Sequence, residues 1–320
     1  MLLGKQRVVF FGGKGGVGKT TLAAAYAIAA ADAGTRTLLV STDPAHSTSD
    51  ILEDALGPEP REVVTALWAM EIDPATEADR YVADVKARIQ DTVPPRLWQE
   101  VERQIDVARV SPGAQEAALF ERVARIMEDE GSRFDRIVFD TAPTGQTLQL
   151  LSLPELMQAW MSGLIGRRKK LNAVTRMWRN VGGTAERRNG GPDDLVLAAL
   201  EERQARFVRA RATLTDAAQT VFHFVVLPER LPILETQRAM ATLDKYAIPV
   251  GTVYVNRVLP THAEGAFLER RRERERTYLD QIAATFARHR VVHVPLQGHD
   301  VVGVTALREL ARMMGDDGRR

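Results

Sequence analysis

The sequence predicts an α/β fold, a largely parallel sheet flanked by helices, with an inserted all-helical subdomain. Three observations lead there. Apolar runs rich in β-branched residues recur at 8–11, 37–41, 67–72, 136–140, 221–227, 250–255 and 291–294, and helix-forming stretches separate most of them. A glycine-rich octapeptide stands at the first strand-to-helix junction. Two intervals, about 74–131 and 154–216, are too long for simple crossovers, are rich in helix formers and lack convincing strands.

The first run, Val8-Val9-Phe10-Phe11, leads into Gly13-Lys14-Gly15-Gly16-Val17-Gly18-Lys19-Thr20, and an alanine-rich helical stretch follows from Thr21. This is the strand, loop and helix context in which G-x-x-x-x-G-K-[ST] binds phosphate, as the P-loop of a nucleoside triphosphatase. Glycines let successive N–H groups turn inward onto phosphate oxygens at the positive end of the next helix. In that reading Gly13 to Thr21 hold the nucleotide, Lys19 neutralises the β- and γ-phosphates, and Thr20 ligates Mg²⁺. A chance glycine turn is the bland alternative, and eight matched positions in the right context argue against it. Lys14 is a second cation, placed too early in the loop to fold back easily onto its own γ-phosphate. It is either a solvated loop lysine or a group that reaches nucleotide on a facing subunit, as an arginine finger does in trans.

The second run ends in Ser41-Thr42-Asp43-Pro44-Ala45-His46-Ser47, and a carboxylate there faces the nucleotide crevice. Asp43 is placed to orient or deprotonate the attacking water. The fourth run ends in Asp140-Thr141-Ala142-Pro143-Thr144-Gly145-Gln146. Asp140 fits the carboxylate that holds Mg²⁺, through water, and Gly145 would let the backbone approach the γ-phosphate. Each aspartate alone is equally a helix cap; the P-loop favours the catalytic pair.

The remaining composition narrows the class. At 320 residues the chain can bury a large core as one domain or two, and its net charge of +1 gives no electrostatic case for nucleic acid. The basic clusters 167–170 and 270–272 lie among helix formers and read as solvated helix faces. With no cysteine, disulfides, thiolate metal sites and cysteine catalysis are excluded. No apolar run approaches the 18 residues of a membrane span. The first strand leaves no room for a signal peptide in the sequence given, so a cytoplasmic protein is expected. Asn189-Gly190-Gly191-Pro192 and Gly182-Gly183 are the clearest breaks. The expected division is an ATPase core of 1–74, 131–153 and 217–320 and a helical subdomain of 75–130 and 154–216.

These segments resemble the ArsA/Get3 family of ATPases, within the deviant-Walker class of P-loop proteins. GKGGVGKT is common to that class, whereas STDPAHS and DTAPTG-TL-LL are particular to ArsA/Get3. The likeness continues through Ala69 to Asp73, Pro228-Glu229 with Glu235-Thr236-Gln237-Arg238, Val255-Asn256, Tyr278 to Ile282 and Val294-Pro295-Leu296, so it spans most of the chain. It implies ATP and Mg²⁺ as ligands, Lys14 as the lysine that contacts nucleotide across a homodimer interface, and Asp43 as the aspartate of switch I. It implies Asp140, Pro143, Gly145 and Gln146 in switch II, where Gln146 replaces the family's usual histidine. Glu229, Asn256 and Pro295 match nucleotide contacts, with Asn256 and Pro295 expected at the adenine.

The chain carries a single P-loop, and its lack of cysteine removes both the thiolates a soft metalloid selects and the CxxC pair of zinc-linked relatives. No zinc is expected. Leu153, Leu156, Met157, Trp160, Met161, Leu164 and Ile165 fall on one helical stripe. Core packing produces such stripes too. Its place after switch II, and its methionines, favour a groove for varied apolar clients. By the resemblance, the client is the transmembrane segment of a tail-anchored membrane protein, with a membrane receptor as a further partner. The alternatives are the energising subunit of an arsenite or antimonite pump, bound to a pump subunit, and a nucleotide-gated chaperone without a membrane destination.

Overall fold

A computed structural model describes residues 3–43, 47–90, 98–99, 102–103, 106, 114–141 and 192–315. It contains an eight-stranded sheet in the order β3-β4-β2-β5-β1-β6-β7-β8. The strands are β1 (Val8–Gly12), β2 (Thr37–Ser41), β3 (Arg61–Val64), β4 (Leu67–Glu71), β5 (Arg136–Asp140), β6 (Thr220–Val226), β7 (Val250–Val258) and β8 (Val291–Pro295). All pairs are parallel except β3 with β4. β1, β2, β5 and β6 are buried at every position, as strands covered on both faces must be.

β3 is the strand the sequence conceals. Its four residues are two exposed and two half-buried, it carries a register shift between Glu62 and Val64, and it turns into β4 through Thr65 and Ala66. Ala66 holds the positive φ of 66° that hairpins usually assign to glycine or asparagine. No turn residue advertises it.

The helices are α1 (Lys19–Asp32), α2 (Ser47–Leu52), α3 (Pro74–Gln90), α4 (Ala114–Asp129), α5 (Pro192–Thr215), α6 (Arg230–Lys245), α7 (Ala266–Thr285) and α8 (Gly303–Gly315). α1 is buried nearly all round, which its alanines allow by letting the sheet and α8 approach closely. Arg308 on α8 forks onto Asp32 at the end of α1, at 2.8 and 2.9 Å.

The chain divides into two compact units. One comprises Met1–Asp73, Ile126–Gln149 and Thr213–Arg320, and holds the sheet. The other comprises Pro74–Arg125 and Leu150–Ala212. Within it, Phe120 and Phe207 meet edge to face at 5.3 Å. Beside them Glu121 takes Arg125 at 2.9 Å and Arg203 at 2.7 Å, and Glu77 takes Arg80 at 3.1 Å. No described helix is long and apolar enough to cross a membrane.

Candidate active site

The strand order reverses at β1. Its outgoing connection leads to β2 on one side, β5 slots between them, and the chain then resumes at β6 on the other side. Ligands of open α/β sheets bind beyond the carboxyl ends of strands at such a switch point. Register fixes what stands there. Glu71 is level with Ser41, Ser41 with Asp140, Asp140 with Phe11, and Phe11 with His223. The last residues of β4, β2 and β5 thus place two carboxylates and a hydroxyl in one row beside the glycine loop.

The loop leaves β1 at Gly12 and enters α1 at Lys19. Gly13 has φ 154°, and a Cβ there would strike the Val225 carbonyl oxygen. Gly18 begins α1 in the left-handed region at φ 92°, with no side chain capping the helix. The first N–H groups of α1 therefore keep free of side-chain caps the end where an anion is best stabilised. A Cβ on Gly15 or Gly16 would meet nothing within 4 Å, so this stretch of the loop is open. Lys19 is buried, and its Nζ donates to the Lys14 carbonyl at 3.4 Å, folded over the loop that phosphates would fill.

Thr20 and Asp140 come together as the Mg²⁺ reading needs. Thr20 Oγ1 lies 3.2 Å from Ser47 Oγ, the first residue of α2. Asp140 is fully buried, and neither carboxylate oxygen has a well-formed hydrogen bond among the described residues. Burial pushes its pKa up to about 7, with Asp43 and Glu71 pushing the same way and the Thr20 hydroxyl and Lys19 ammonium opposing. A buried carboxyl with no well-formed hydrogen bond among the described residues, beside a hydroxyl, suits a hard cation that brings phosphate oxygens and water to complete its shell. Among the described residues no cluster of three or more His, Asp or Glu that could hold a metal occurs.

Asp43 follows β2, partly exposed, with its backbone N–H on Ser41 Oγ at 3.4 Å. Lys14 pairs with Glu235 of α6 at 3.2 Å, both about a third exposed. Gly18, Thr21, Asn256 and Pro295 line one cleft of about 510 Å³, walled further by Leu296 to Val302. Lys14, Gly15, Val17 and Glu229 line a separate depression of about 270 Å³. Glu229 is exposed at the start of α6 and lies 4.0 Å from Arg271. Pro143, Gly145 and Gln146 of the expected switch II lie outside the described residues, as do Leu153, Leu156, Met157, Trp160, Met161, Leu164 and Ile165 of the expected groove.

Sequence reasoning gave no role to Ser47, Glu71 or Glu235. Glu71 is buried and accepts both the backbone N–H and the hydroxyl of Ser49 at 2.9 Å, which ties α2 to the sheet. Its place at the end of a strand, in the same row as Ser41 and Asp140, was the available signal. His223, on β6, packs at tilted and edge-on angles among the rings of Phe11, Tyr26 and Tyr254. Burial drives its pKa down to about 3, and Nδ1 accepts the Thr252 N–H at 3.0 Å, so it is a neutral core residue.

A glycine loop feeding an uncapped helix, with a buried lysine and a buried aspartate beside the loop's threonine at a sheet switch point, defines a P-loop nucleoside triphosphatase. The profile of the anion-transporting ATPases, the ArsA ATPase family, matches residues 6–316, and the chain belongs to that family. It is 32% identical over 309 residues to arsenical pump-driving ATPase 2, as a protein of Aquifex aeolicus is provisionally named, covering 97% of this chain and 99% of the other. It is 33% identical over 330 residues to ATPase GET3B of Arabidopsis thaliana, covering 96% and 78%. To ATPase ASNA1 homolog 1 of Paramecium tetraurelia it is 30% identical over 309 residues, covering 96% and 91%. The chain is an ATP-hydrolysing enzyme of the ArsA/Get3 type.

Proposed function

We propose that this protein is a homodimeric, Mg²⁺-dependent ATPase whose subunits close on ATP and open after hydrolysis. The observation that carries the Mg²⁺ part is Asp140, a buried carboxyl beside Thr20 without a well-formed hydrogen bond among the described residues. In the proposed cycle the P-loop N–H groups and Lys19 hold the phosphates, Thr20 and Asp140 hold the ion, and Asp43 directs the attacking water. Lys14 leaves Glu235 and reaches the nucleotide of the facing subunit. A pair about one-third exposed contributes on the order of 0–1 kcal/mol, so exchanging it costs little. The protein acts in the cytoplasm.

The proposed client is an apolar transmembrane segment, held by the helical region 75–130 and 154–216 and delivered to a membrane receptor. Likeness to proteins named GET3B and ASNA1 supports this reading. The stripe from Leu153 to Ile165 supplies the apolar surface. A span of about 20 residues is about 30 Å long, which suits a groove shared by two subunits. The name of the Aquifex relative favours a second reading, the energising subunit of an arsenical pump. Absence of cysteine removes the soft ligands such a metalloid would select.

One experiment separates the two. A purified tail-anchored segment and a soluble polar peptide are offered to the protein with and without Mg·ATP, and ATP turnover is followed with and without arsenite. Nucleotide-dependent capture graded by hydrophobicity supports the targeting role. Arsenite-stimulated turnover without capture overturns it in favour of the pump.

A further inference from the structure

Ser47 opens α2 and is half-buried. A serine hydroxyl at a helix start ordinarily caps its own helix by accepting an N–H from the first turn. Among the described residues, Ser47 Oγ instead meets Thr20 Oγ1 at 3.2 Å, across 27 residues of chain. Several ties hold it there. Thr48 and Leu52 are the buried residues of α2. Ser49 binds Glu71 through its N–H and its hydroxyl, both at 2.9 Å, and the Leu56 N–H returns to Ser49 Oγ at 3.2 Å. Glu53 follows the helix at a positive φ of 55°, and its carboxylate lies so close to Gly303, the first residue of α8, that a Cβ there would collide with it. The sheet and α8 thus fix the short helix that delivers Ser47 to the P-loop.

The proton count of Thr20 gives this contact a use. A hydroxyl has one proton and two lone pairs. The Thr20 hydroxyl opposes the rise in the Asp140 pKa, as donation of its proton to that carboxylate does. With that proton committed, Thr20 accepts from Ser47, and donation runs from Ser47 to Thr20 to Asp140. The bond to Cβ, the proton and the lone pair that Ser47 occupies then fill three of the four tetrahedral directions about Thr20 Oγ1. One lone pair is left, in one direction. We infer that Ser47 is a positioning residue for the ion: by engaging one lone pair of Thr20 it fixes where the other meets Mg²⁺. Partners that orient a metal's ligands in this way set its affinity almost as the ligands do. The inference rests on the Mg²⁺-dependent ATPase reading and adds to it the group that aims the threonine.

The test measures binding of the β,γ-imido analogue of ATP to the full-length protein by calorimetry, in EDTA and across a Mg²⁺ titration. The parent is compared with Ser47→Ala, Ser47→Thr and Ser47→Cys, and each apo protein is melted. Ser47→Ala is expected to raise the Mg²⁺ concentration that half-maximally tightens binding about 10-fold, with binding in EDTA within about twofold of the parent. Ser47→Thr keeps the hydroxyl and should hold that midpoint within about threefold of the parent. An unchanged Mg²⁺ midpoint in Ser47→Ala overturns the inference and leaves the ATPase intact. An equal loss with and without the ion also overturns it, because Ser47 would then only support α2. If Ser47→Ala melts too early to assay, Ser47→Cys decides, since it fills the same space with a poor donor and should shift the midpoint the same way. Parent binding that ignores Mg²⁺ overturns the Mg²⁺ reading itself, and the inference with it.

Discussion

At the scale of single residues, Asp140 gives the sharpest consequence of burial. Its pKa is pushed up to about 7, above the ordinary value of 3.8, because the site strips water from the carboxylate. A raised folded-state pKa contributes stability that is full below pH 4 and is lost as pH rises through 7. Three units correspond to about 4 kcal/mol. The apo protein is therefore expected to melt at a lower temperature at pH 8 than at pH 5. Asp140→Asn should raise the apo melting temperature at pH 8 and change it much less at pH 4, while abolishing turnover. Melts across that range check it, and an unchanged slope would show that the carboxyl is not buried as described. Metal affinity follows the same sign. Below pH 7 the ion must displace a proton, so Mg²⁺ binding should weaken about tenfold per unit of acidification.

Lys14 offers a second consequence at this scale. Its contact with Glu235 occupies, within one chain, the charge that the proposed cycle presents to a facing subunit. Removing the carboxylate frees the lysine at small cost in stability. Glu235→Gln is expected to shift the Tm by no more than 1–2 °C, the effect of a pair worth under about 1 kcal/mol in a large chain. It should also lower the ATP concentration needed for subunit closure. Small-angle scattering against ATP concentration measures that midpoint. A rightward shift would mean that Glu235 assists closure instead of restraining Lys14.

Among the elements, what the sequence makes legible is set by period and by burial. Strands buried on both faces, such as β1, β2, β5 and β6, read as unbroken apolar runs, so seven of the eight strands stand out in the chain. β3 does not, because an edge strand of four residues, two of them exposed and charged, carries no apolar run and its turn uses alanine at positive φ. The P-loop is legible because its chemistry needs glycine at fixed offsets. The ties that hold the site together are not, since the Asn256 bond to Val17 spans 239 residues and the Glu71 bonds to Ser49 span 22. α2 illustrates the cost of missing such a tie. It has only six residues, too few for stability of its own, and depends on Glu71. Glu71→Ala strands the Ser49 N–H and hydroxyl and should cost about 2–4 kcal/mol, as loss of charge-assisted bonds does. It should also raise the KM for Mg·ATP through Ser47, which α2 presents to Thr20. Asp, one methylene shorter, should recover little. Full activity in Glu71→Ala would show that α2 needs no such anchor.

For the whole molecule, the decisive question is whether one chain completes its own site. There is one P-loop per chain, and Lys14 lines a depression with Gly15, Val17 and Glu229. If the lysine acts on a facing subunit, a closed two-fold pair makes each site from two chains. Two inactive variants can then restore each other. A chain with Lys19→Ala still lends Lys14 to its partner, and a chain with Lys14→Ala still offers an intact Lys19. In the mixed pair, the site on the Lys14→Ala chain has its own Lys19 and a borrowed Lys14, and the other site has neither. With random pairing of equal amounts, half the pairs are mixed and each has one good site of two. The mixture should recover about a quarter of parental turnover while each variant alone stays near background. Action in cis allows no recovery at any ratio, because every site then lacks one lysine of its own. Titrating one variant into the other sharpens the result, since recovery in trans peaks at equal amounts and falls on either side. A flat response would leave Lys14 to its pairing with Glu235 and require another group to link the two sites.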